Sequence, residues 1–198
     1  MKRRGIWLGL SAILVVMAVG LGFYQQQLSN QANGEPQGGP IELPSTEGEF
    51  SLSQLEDDQL AVVFFGYTWC PDVCPMSLAV VRQVMGRLDP EQRRRVVPLM
   101  VSVDPERDTL ARLEEYLGFF GEEFIGATGS QEALEELTQR YGVVWRRVET
   151  PDSAMAYTID HSASLFLVDR NGEIRRRVLH SPTSGPLQAA LAQALEEG

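Results

Sequence analysis

The sequence has very few thiols and imidazoles, the side chains that bind soft metals or exchange electrons. Among its 198 residues are two cysteines, Cys70 and Cys74, and two histidines, His161 and His180. A disulfide-stabilised scaffold needs more cysteines than this, so the pair is better interpreted as a redox-active or metal-binding centre. A metal site built on both sulfurs would have only these two imidazoles from which to take a nitrogen ligand.

Basic residues are scarce after the N-terminus. The chain carries a net charge of −10, and beyond Lys2, Arg3 and Arg4 it has 14 basic against 27 acidic residues, a balance of −13. A surface this acidic repels polyanions, so nucleic acid and anionic lipid are disfavoured as partners. Cationic ligands and basic partner proteins suit it better.

One long apolar run lies near the N-terminus. Gly5 to Tyr24 is a stretch of 20 residues in which only Ser11 and Tyr24 are polar, and as a helix it would span about 30 Å, the thickness of a bilayer core. The basic residues before it should stay cytoplasmic. We therefore predict that residues 1–24 are a basic cytoplasmic start and a single-pass anchor in a bacterial-type inner membrane, with the rest of the chain on the periplasmic side. No cysteine follows the run, which excludes lipoprotein processing, and a cleaved signal peptide is the alternative.

The remainder divides into a tether and one α/β domain. Residues 25–40 are polar and contain glycine, asparagine and proline, which is typical of a flexible tether. Residues 41–198 alternate strand and helix patterns, and this order predicts a mixed sheet flanked by helices. The predicted strands are an edge hairpin turning at Ser45–Gly48, two buried runs at Leu60–Gly66 and Val96–Val103, a short strand at Phe124–Ala127, and a closing pair at Ser164–Val168 and Glu173–Leu179. Helices are predicted after the cysteines, after Thr109 and Ser130 as N-caps, and at Leu187–Leu195.

Cys70 and Cys74 lie between a predicted buried strand and a predicted helix. Pro75 suits the first position of a helix and pushes the preceding residue out of the helical region, which predicts that Cys74 is the N-cap. There the helix dipole would lower the pKa of the Cys74 thiol. Three residues separate the cysteines, a spacing that leaves a reversible disulfide and a metal chelate both open. Two thiolates favour Cu(I) or zinc and usually need a third protein ligand.

The sequence context favours His161 over His180 as that third ligand. His161 lies in a predicted polar turn immediately before a core strand and after a predicted loop at residues 149–156. In an open α/β sheet such a loop can approach the end of the neighbouring strand that leads to Cys70. His180 ends a predicted surface strand, where a solvent-facing imidazole is the simpler interpretation.

Four short motifs stand out in the domain. They are FGYT at Phe65–Thr68, CPDVCP at Cys70–Pro75, VDPERD at Val103–Asp108 and DHS at Asp160–Ser162. In this order they resemble the Sco/SenC family, whose members are membrane-anchored copper proteins with a thioredoxin-like fold that help to assemble cytochrome c oxidase. The resemblance covers residues 38–195, and it implies the same thioredoxin-like fold for this domain.

The resemblance also implies a ligand set and supporting residues. Cys70, Cys74 and His161 correspond to the copper ligands of the family, so one copper ion per domain is expected. Asp160 matches the acidic residue beside the ligand histidine, where it would influence the loop or the docking of a partner, or act only as a turn residue. Asp72 would support the cysteine loop by shaping its turn. The segment Asp104–Asp108 is expected to organise a strand-to-helix turn through an internal ion pair, without a ligand role.

Two functions from different classes follow. The first is a metallochaperone that delivers Cu(I) or Cu(II) to the copper-site subunit of cytochrome c oxidase and needs a copper donor and a thiol reductant as further partners. The second is a periplasmic thiol–disulfide oxidoreductase that uses Cys70 and Cys74 as its catalytic pair to reduce protein cysteines, and both roles can share the same thiols. Thioredoxin-type oxidoreductases place a cis-proline before the strand that faces their cysteines, whereas Tyr157–Asp169 contains no proline and offers His161. This difference favours copper binding.

Overall fold

The fold is built around two apolar runs that the sequence predicts as buried strands. In the computed structural model, which describes residues 17–22, 25, 36–150 and 155–197, these runs are β3 (Leu60–Gly66) and β4 (Val96–Ser102). They pair in parallel, with Leu60 opposite Val96 and Gly66 opposite Ser102. Every residue of β3 is buried, as expected of a strand covered on both faces.

The mixed sheet predicted from the sequence is confirmed. Its other strands are β1 (Glu42–Ser45), β2 (Gly48–Ser51), β5 (Ile125–Ala127), β8 (Ser164–Val168) and β9 (Ile174–Leu179). Within the described residues these form one seven-stranded sheet in the order β2-β1-β5-β4-β3-β8-β9. Strands β3, β4 and β5 are parallel, whereas β8 and β9 on one side and β1 and β2 on the other are antiparallel to their neighbours.

Helices connect and cover these strands, and the predicted caps Thr109 and Ser130 are confirmed for two of them. They are α1 (Val73–Met85), α2 (Pro90–Arg94), α3 (Leu110–Gly118), α4 (Gln131–Arg140) and α5 (Gly185–Glu196). Thr109 accepts from the Arg112 backbone N–H, and Ser130 accepts from that of Ala133, which satisfies donors that have no partner inside the helix. Helix α3 packs on β5 so closely that a side chain at Gly126 would meet Leu113 and Leu117 at 2.8 Å, so this position needs glycine.

A second, two-stranded sheet lies outside this order and was not predicted. Strand β6 (Trp145–Glu149) pairs antiparallel with β7 (Tyr157–His161), so that Trp145 faces His161 across the ladder. The prediction of His161 in a polar turn is therefore wrong, because it is the last residue of a strand. Most of β6 is exposed or half-buried, and a strand with no buried run has no apolar signal in its sequence.

The N-terminal predictions fall largely outside the described residues. The apolar span Gly5–Tyr24 is described only at residues 17–22, which are helical, and no helix in the described part of the chain is both long and apolar enough to cross a bilayer. The anchor stays a prediction, as does the tether predicted over residues 25–40, of which residues 26–35 lie outside the described part of the chain. From residue 37 the chain is hydrogen-bonded to the domain, since Gln37 and Gly38 donate to the Arg140 carbonyl and Gly39 donates to that of Gly172.

Candidate metal centre

Three ligand atoms from two separate segments converge at one end of β3. Cys70 and Cys74 come from the connection between β3 and the first turn of α1, and His161 comes from the end of β7. The two sulfurs and a ring nitrogen all lie within 4.8 Å of one another, and Cys74 Sγ is 3.2 Å from His161 Nε2. In the described part of the chain this is the one cluster of at least three such residues. The predicted trio is therefore brought together.

His180 takes no part in this cluster. Its Nδ1 lies 3.1 Å from the hydroxyl of Ser77 on α1, and the ring is half-buried at the end of β9. The preference for His161 as the candidate ligand agrees with this arrangement.

The loop geometry differs from the prediction at the start of α1. The helix begins at Val73 with Asp72 as its N-cap, so the prediction that Cys74 is the N-cap is wrong. Pro75 is the third helical residue, where the backbone nitrogen needs no intrahelical partner and proline is tolerated. Cys74 is thereby turned inward, and a side chain at Gly66 would come within 2.9 Å of its sulfur.

A buried carboxylate accepts hydrogen bonds from the segment that leads to Cys70. Asp108 accepts hydrogen bonds from the Thr68 backbone N–H at 2.9 Å, the Thr68 hydroxyl at 2.6 Å and the Ser102 hydroxyl at 2.7 Å. Burial raises the pKa of Asp108 above its ordinary value. The predicted internal ion pair of this segment is present between Arg107 and Asp104, at 2.6 Å. The hydrogen bonds from Thr68 to Asp108 were not predicted, because sequence spacing carries no information about partners 40 residues apart.

The ring of His161 is oriented for its Nε2 to act as the ligand. Its Nδ1 lies 3.3 Å from the Ser162 carbonyl oxygen, and since a carbonyl only accepts, Nδ1 carries the proton. With Nδ1 as the donor, Nε2 is the ring nitrogen that can supply a lone pair to a metal, and it faces Cys74. The rings of Phe64 and Tyr67 approach the imidazole edge-on, with centroids at 6.0 and 5.9 Å. The imidazole is therefore fixed from several sides.

The pKa values of the two thiols are shifted in opposite directions. A hydrogen bond from the Cys74 thiol holds the pKa of Cys70 well below its ordinary value, against the effect of burial. Burial first, and then the hydrogen bond and charge of Cys70, raise the pKa of Cys74. The predicted lowering of the Cys74 pKa by the helix dipole is wrong, since burial raises that pKa. Cys74 is fully buried and Cys70 is 9% exposed, and no disulfide joins them.

The two aspartates predicted as supporting residues lie beside the cluster and outside it. Asp72 is exposed at the N-cap and its side chain makes no capping hydrogen bond. Asp160 is also exposed and pairs with Arg146 across the β6–β7 hairpin at 3.2 Å. The role of Asp160 in the loop or in partner docking and the role of Asp72 in shaping the turn stay predictions.

The donor set and its spacing fit a soft or borderline metal ion. With metal–sulfur bonds of about 2.3 Å and metal–nitrogen bonds of about 2.0 Å, two ligands of one ion can be at most about 4.6 Å apart. The observed limit of 4.8 Å is therefore within a few tenths of an ångström of a binding geometry. Two sulfurs and one imidazole suit Cu(I) or zinc, and the imidazole also suits Cu(II).

Comparison with known proteins identifies similar sequences and similar folds. The model of the SCO1/SenC family matches residues 29–196. An SCO2-like protein of Rickettsia conorii is 35% identical over 136 residues, which cover 69% of this chain and 66% of that protein, so the chain spans slightly less than two thirds of this relative's length.

Two solved structures resemble the whole domain. ScoI of Arabidopsis thaliana with copper bound has a TM-score of 0.73 and 28% identity, covering 82% of this chain and 99% of that one. ScoI of Bradyrhizobium japonicum with copper bound has a TM-score of 0.69 and 32% identity, covering 80% and 98%. The thioredoxin-like fold expected from the sequence is confirmed by these matches.

Proposed function

The chain belongs to the SCO1/SenC family, and we propose that it binds one copper ion through Cys70, Cys74 and His161 and delivers it to the copper site of a cytochrome c oxidase subunit. The observation that carries this proposal is the convergence of two sulfurs and the Nε2-exposing imidazole within 4.8 Å. The donor chemistry alone also admits zinc. Copper is the metal that the family supports, since two members with this fold were solved with copper bound.

The protonation of the site determines what copper binding requires. Burial and the neighbouring Cys70 raise the pKa of Cys74, so copper binding has to displace the proton of Cys74. Two thiolates can hold Cu(I), whereas Cu(II) requires the imidazole as well. Because Cys74 is fully buried, incoming ligands of a recipient would meet the ion from the side of Cys70 and His161. Copper would pass to the recipient by exchange of these ligands, and the free thiols would remain with this chain.

The location of the protein is part of the same proposal. The basic residues before the apolar span Gly5–Tyr24 support an anchor in a bacterial-type inner membrane with the domain in the periplasm. Its partners there would be a copper donor, the recipient subunit and a reductant that returns the cysteines to free thiols, since the periplasm is oxidising.

A thiol–disulfide reductase is the second candidate function. It is favoured by one observation, two free thiols whose sulfurs lie within 4.8 Å of each other, and the hydrogen bond with Cys74 lowers the pKa of Cys70. The thiolate of Cys70 would attack a disulfide of a partner and release one thiolate, and Cys74 would lose its proton and attack Cys70 to release the second. The pair of this chain would end as a disulfide, and two electrons would reach the partner.

Copper retention by the full-length chain tests the metal site. After anaerobic loading with Cu(I) and removal of excess metal, we expect one copper ion per chain in the wild type. The variant Cys70→Ala/Cys74→Ala should retain none, and His180→Ala, which removes the other imidazole, should retain one. Equal retention by the double variant and the wild type would refute the proposed site.

The recipient experiment separates the two functions. Copper-loaded full-length protein is mixed with an apo copper-site subunit of an oxidase, and metal and thiols are followed together. Movement of copper without a change in the thiols of either protein indicates delivery. Gain of recipient thiols with loss of both thiols of this chain indicates reduction.

A further inference from the structure

The β6–β7 hairpin, which carries His161, is connected by a small set of hydrogen bonds to residues near the cysteines and in the turn after β4. The backbone N–H of Ile159 donates to the Tyr67 hydroxyl at 3.2 Å. Arg107 donates from Nη1 to the Tyr157 carbonyl at 3.1 Å, and the Tyr157 hydroxyl donates to Asp104 at 2.7 Å. In the described residues β7 pairs with β6 and with no strand of the main sheet. The hydrogen bonds above therefore connect the hairpin to the rest of the domain in place of strand pairing.

The ring of Tyr157 is enclosed by two guanidinium groups. The Cζ atoms of Arg107 and Arg147 each lie 3.6 Å from its centroid, and two such groups at that distance must cover opposite faces. Arg107 is paired with Asp104 at 2.6 Å, and Arg147 with Glu106 at 2.9 Å. We call Asp104, Glu106, Arg107, Arg147 and Tyr157 the Tyr157 clamp.

Arg107 connects this clamp to the cysteine loop. Besides the Tyr157 ring, its Cζ lies 5.7 Å from the centroid of Tyr67 and 5.9 Å from that of Trp69, the residue before Cys70. Its side chain is largely buried, at 19% exposure, which strengthens its attraction to the rings. One guanidinium thus contacts both segments that supply ligands to the candidate site.

We propose that the Tyr157 clamp fixes the position of His161 relative to Cys70 and Cys74, with Arg107 as its central positioning residue. The inference rests on the proposed copper site and concerns which oxidation state that site prefers. Groups that orient a ligand typically change metal affinity by about 10- to 100-fold when they are removed. The effect should fall on Cu(II), because two thiolates hold Cu(I) without the imidazole. The clamp therefore sets the affinity for Cu(II) relative to that for Cu(I).

The test places Arg107→Gln in the full-length wild type and in the His161→Ala background. We expect Cu(II) affinity to fall by about 10- to 100-fold in the first case, with a much smaller change for Cu(I). In the His161→Ala background no further loss of Cu(II) affinity is expected, because the clamp acts through that imidazole. Arg112→Gln is the matched control, since Arg112 also lies 5.8 Å from the Trp69 ring but makes none of the hydrogen bonds to β7 described above.

A readout without metal keeps the inference distinct from the proposed function. In the copper-free protein, amide hydrogen exchange at Ile159 should be faster in Arg107→Gln and unchanged in Arg112→Gln, because the hairpin is released in only one of them. Failure of the wild type to bind copper would refute the proposed function alone, and the exchange data would still decide whether the clamp holds the hairpin.

Two results would overturn the proposal. One is unchanged Cu(II) affinity in Arg107→Gln, and the other is an equal loss of affinity in the wild-type and His161→Ala backgrounds, which would show an effect independent of the histidine. If Arg107→Gln does not fold, Tyr157→Phe removes only the hydroxyl that donates to Asp104. It should weaken Cu(II) binding in the same direction, and Tyr141→Phe, which removes a hydroxyl bonded to the distant Gly39 carbonyl, should not.

Discussion

At the scale of single residues, each candidate ligand is held by a different kind of contact. Cys74 lies against Gly66, where any side chain would collide with its sulfur. Cys70 donates its backbone N–H to the Tyr67 carbonyl at 3.3 Å, which closes the turn after β3. His161 lies at the end of a strand, between aromatic edges. Its position depends on a separate hairpin, so it is the ligand most easily displaced from the other two.

Replacement of His161 by alanine should therefore affect the two oxidation states of copper differently. We expect His161→Ala to weaken Cu(II) binding by more than tenfold, on the scale of ligand effects of about 10- to 100-fold, and to leave most Cu(I) binding intact. Competition titrations with chelators specific for each oxidation state measure this difference. His180→Ala should bind both states as the wild type does, and an equal loss of Cu(I) and Cu(II) in His161→Ala would contradict the expectation.

At the scale of secondary-structure elements, the predictable parts of the fold are those with a local signal. Strands β3 and β4 follow from continuous apolar runs, and the caps Thr109 and Ser130 follow from residue type and position. The β6–β7 hairpin has no such signal, because most of its first strand is exposed. Its two strands pair with each other, and Tyr157 bonds to Asp104 and Arg107, which lie about 50 positions earlier in the sequence.

Two features of the candidate site, the first residue of α1 and the pKa values of the cysteines, also could not be predicted from local sequence signals. Pro75 alone predicts a helix beginning at that residue, but the first turn of a helix accommodates proline at more than one position. The helix begins two residues earlier and buries Cys74, and this burial raises the pKa of its thiol, opposite to the effect expected of the helix dipole. The identity of the ligands was predictable from motifs, whereas the pKa values of the two thiols depend on how the residues pack in the fold.

The hydrogen bonds from Thr68, just before the cysteines, to Asp108, in the turn after β4, lead to a prediction about stability. Asp108→Ala would leave three buried donors without an acceptor, and a buried unsatisfied group costs about 1–3 kcal/mol. We expect a loss of at least about 2 kcal/mol in the free energy of unfolding. Asp108→Asn should cost about 1 kcal/mol or less, because its oxygen can accept from the Thr68 N–H and Ser102 while the Thr68 hydroxyl turns to accept from the amide.

Equilibrium unfolding in denaturant checks this order of stability. Glu114→Ala, which removes an exposed carboxylate from α3, serves as the control and should change stability by less than about 0.5 kcal/mol. Asp108→Ala unfolding at the same denaturant concentration as the wild type would show that the loop is held by other contacts.

At the scale of the whole molecule, charge and chain order favour a division into an anchor and an acidic domain. The chain carries −10 overall although its first residues are basic, so the charge of the two parts is opposite in sign. Around the candidate site the arginines are paired with carboxylates, as Arg107 with Asp104, Arg146 with Asp160 and Arg147 with Glu106. A partner docking at this edge would therefore meet paired charges together with the exposed ring of Trp69.

The proposed anchor leads to a prediction about the intact chain. Expressed in a Gram-negative bacterium, it should sediment with the inner membrane, resist extraction at alkaline pH and keep the mass of the 198-residue sequence, because an apolar run of about 20 residues spans the bilayer. In spheroplasts, added protease should digest the domain from outside, since basic residues before the run stay in the cytoplasm. The variant Lys2→Gln/Arg3→Gln/Arg4→Gln should show a smaller protease-accessible fraction. A soluble periplasmic product lacking the apolar run would instead identify the segment as a cleaved signal peptide and refute the anchor.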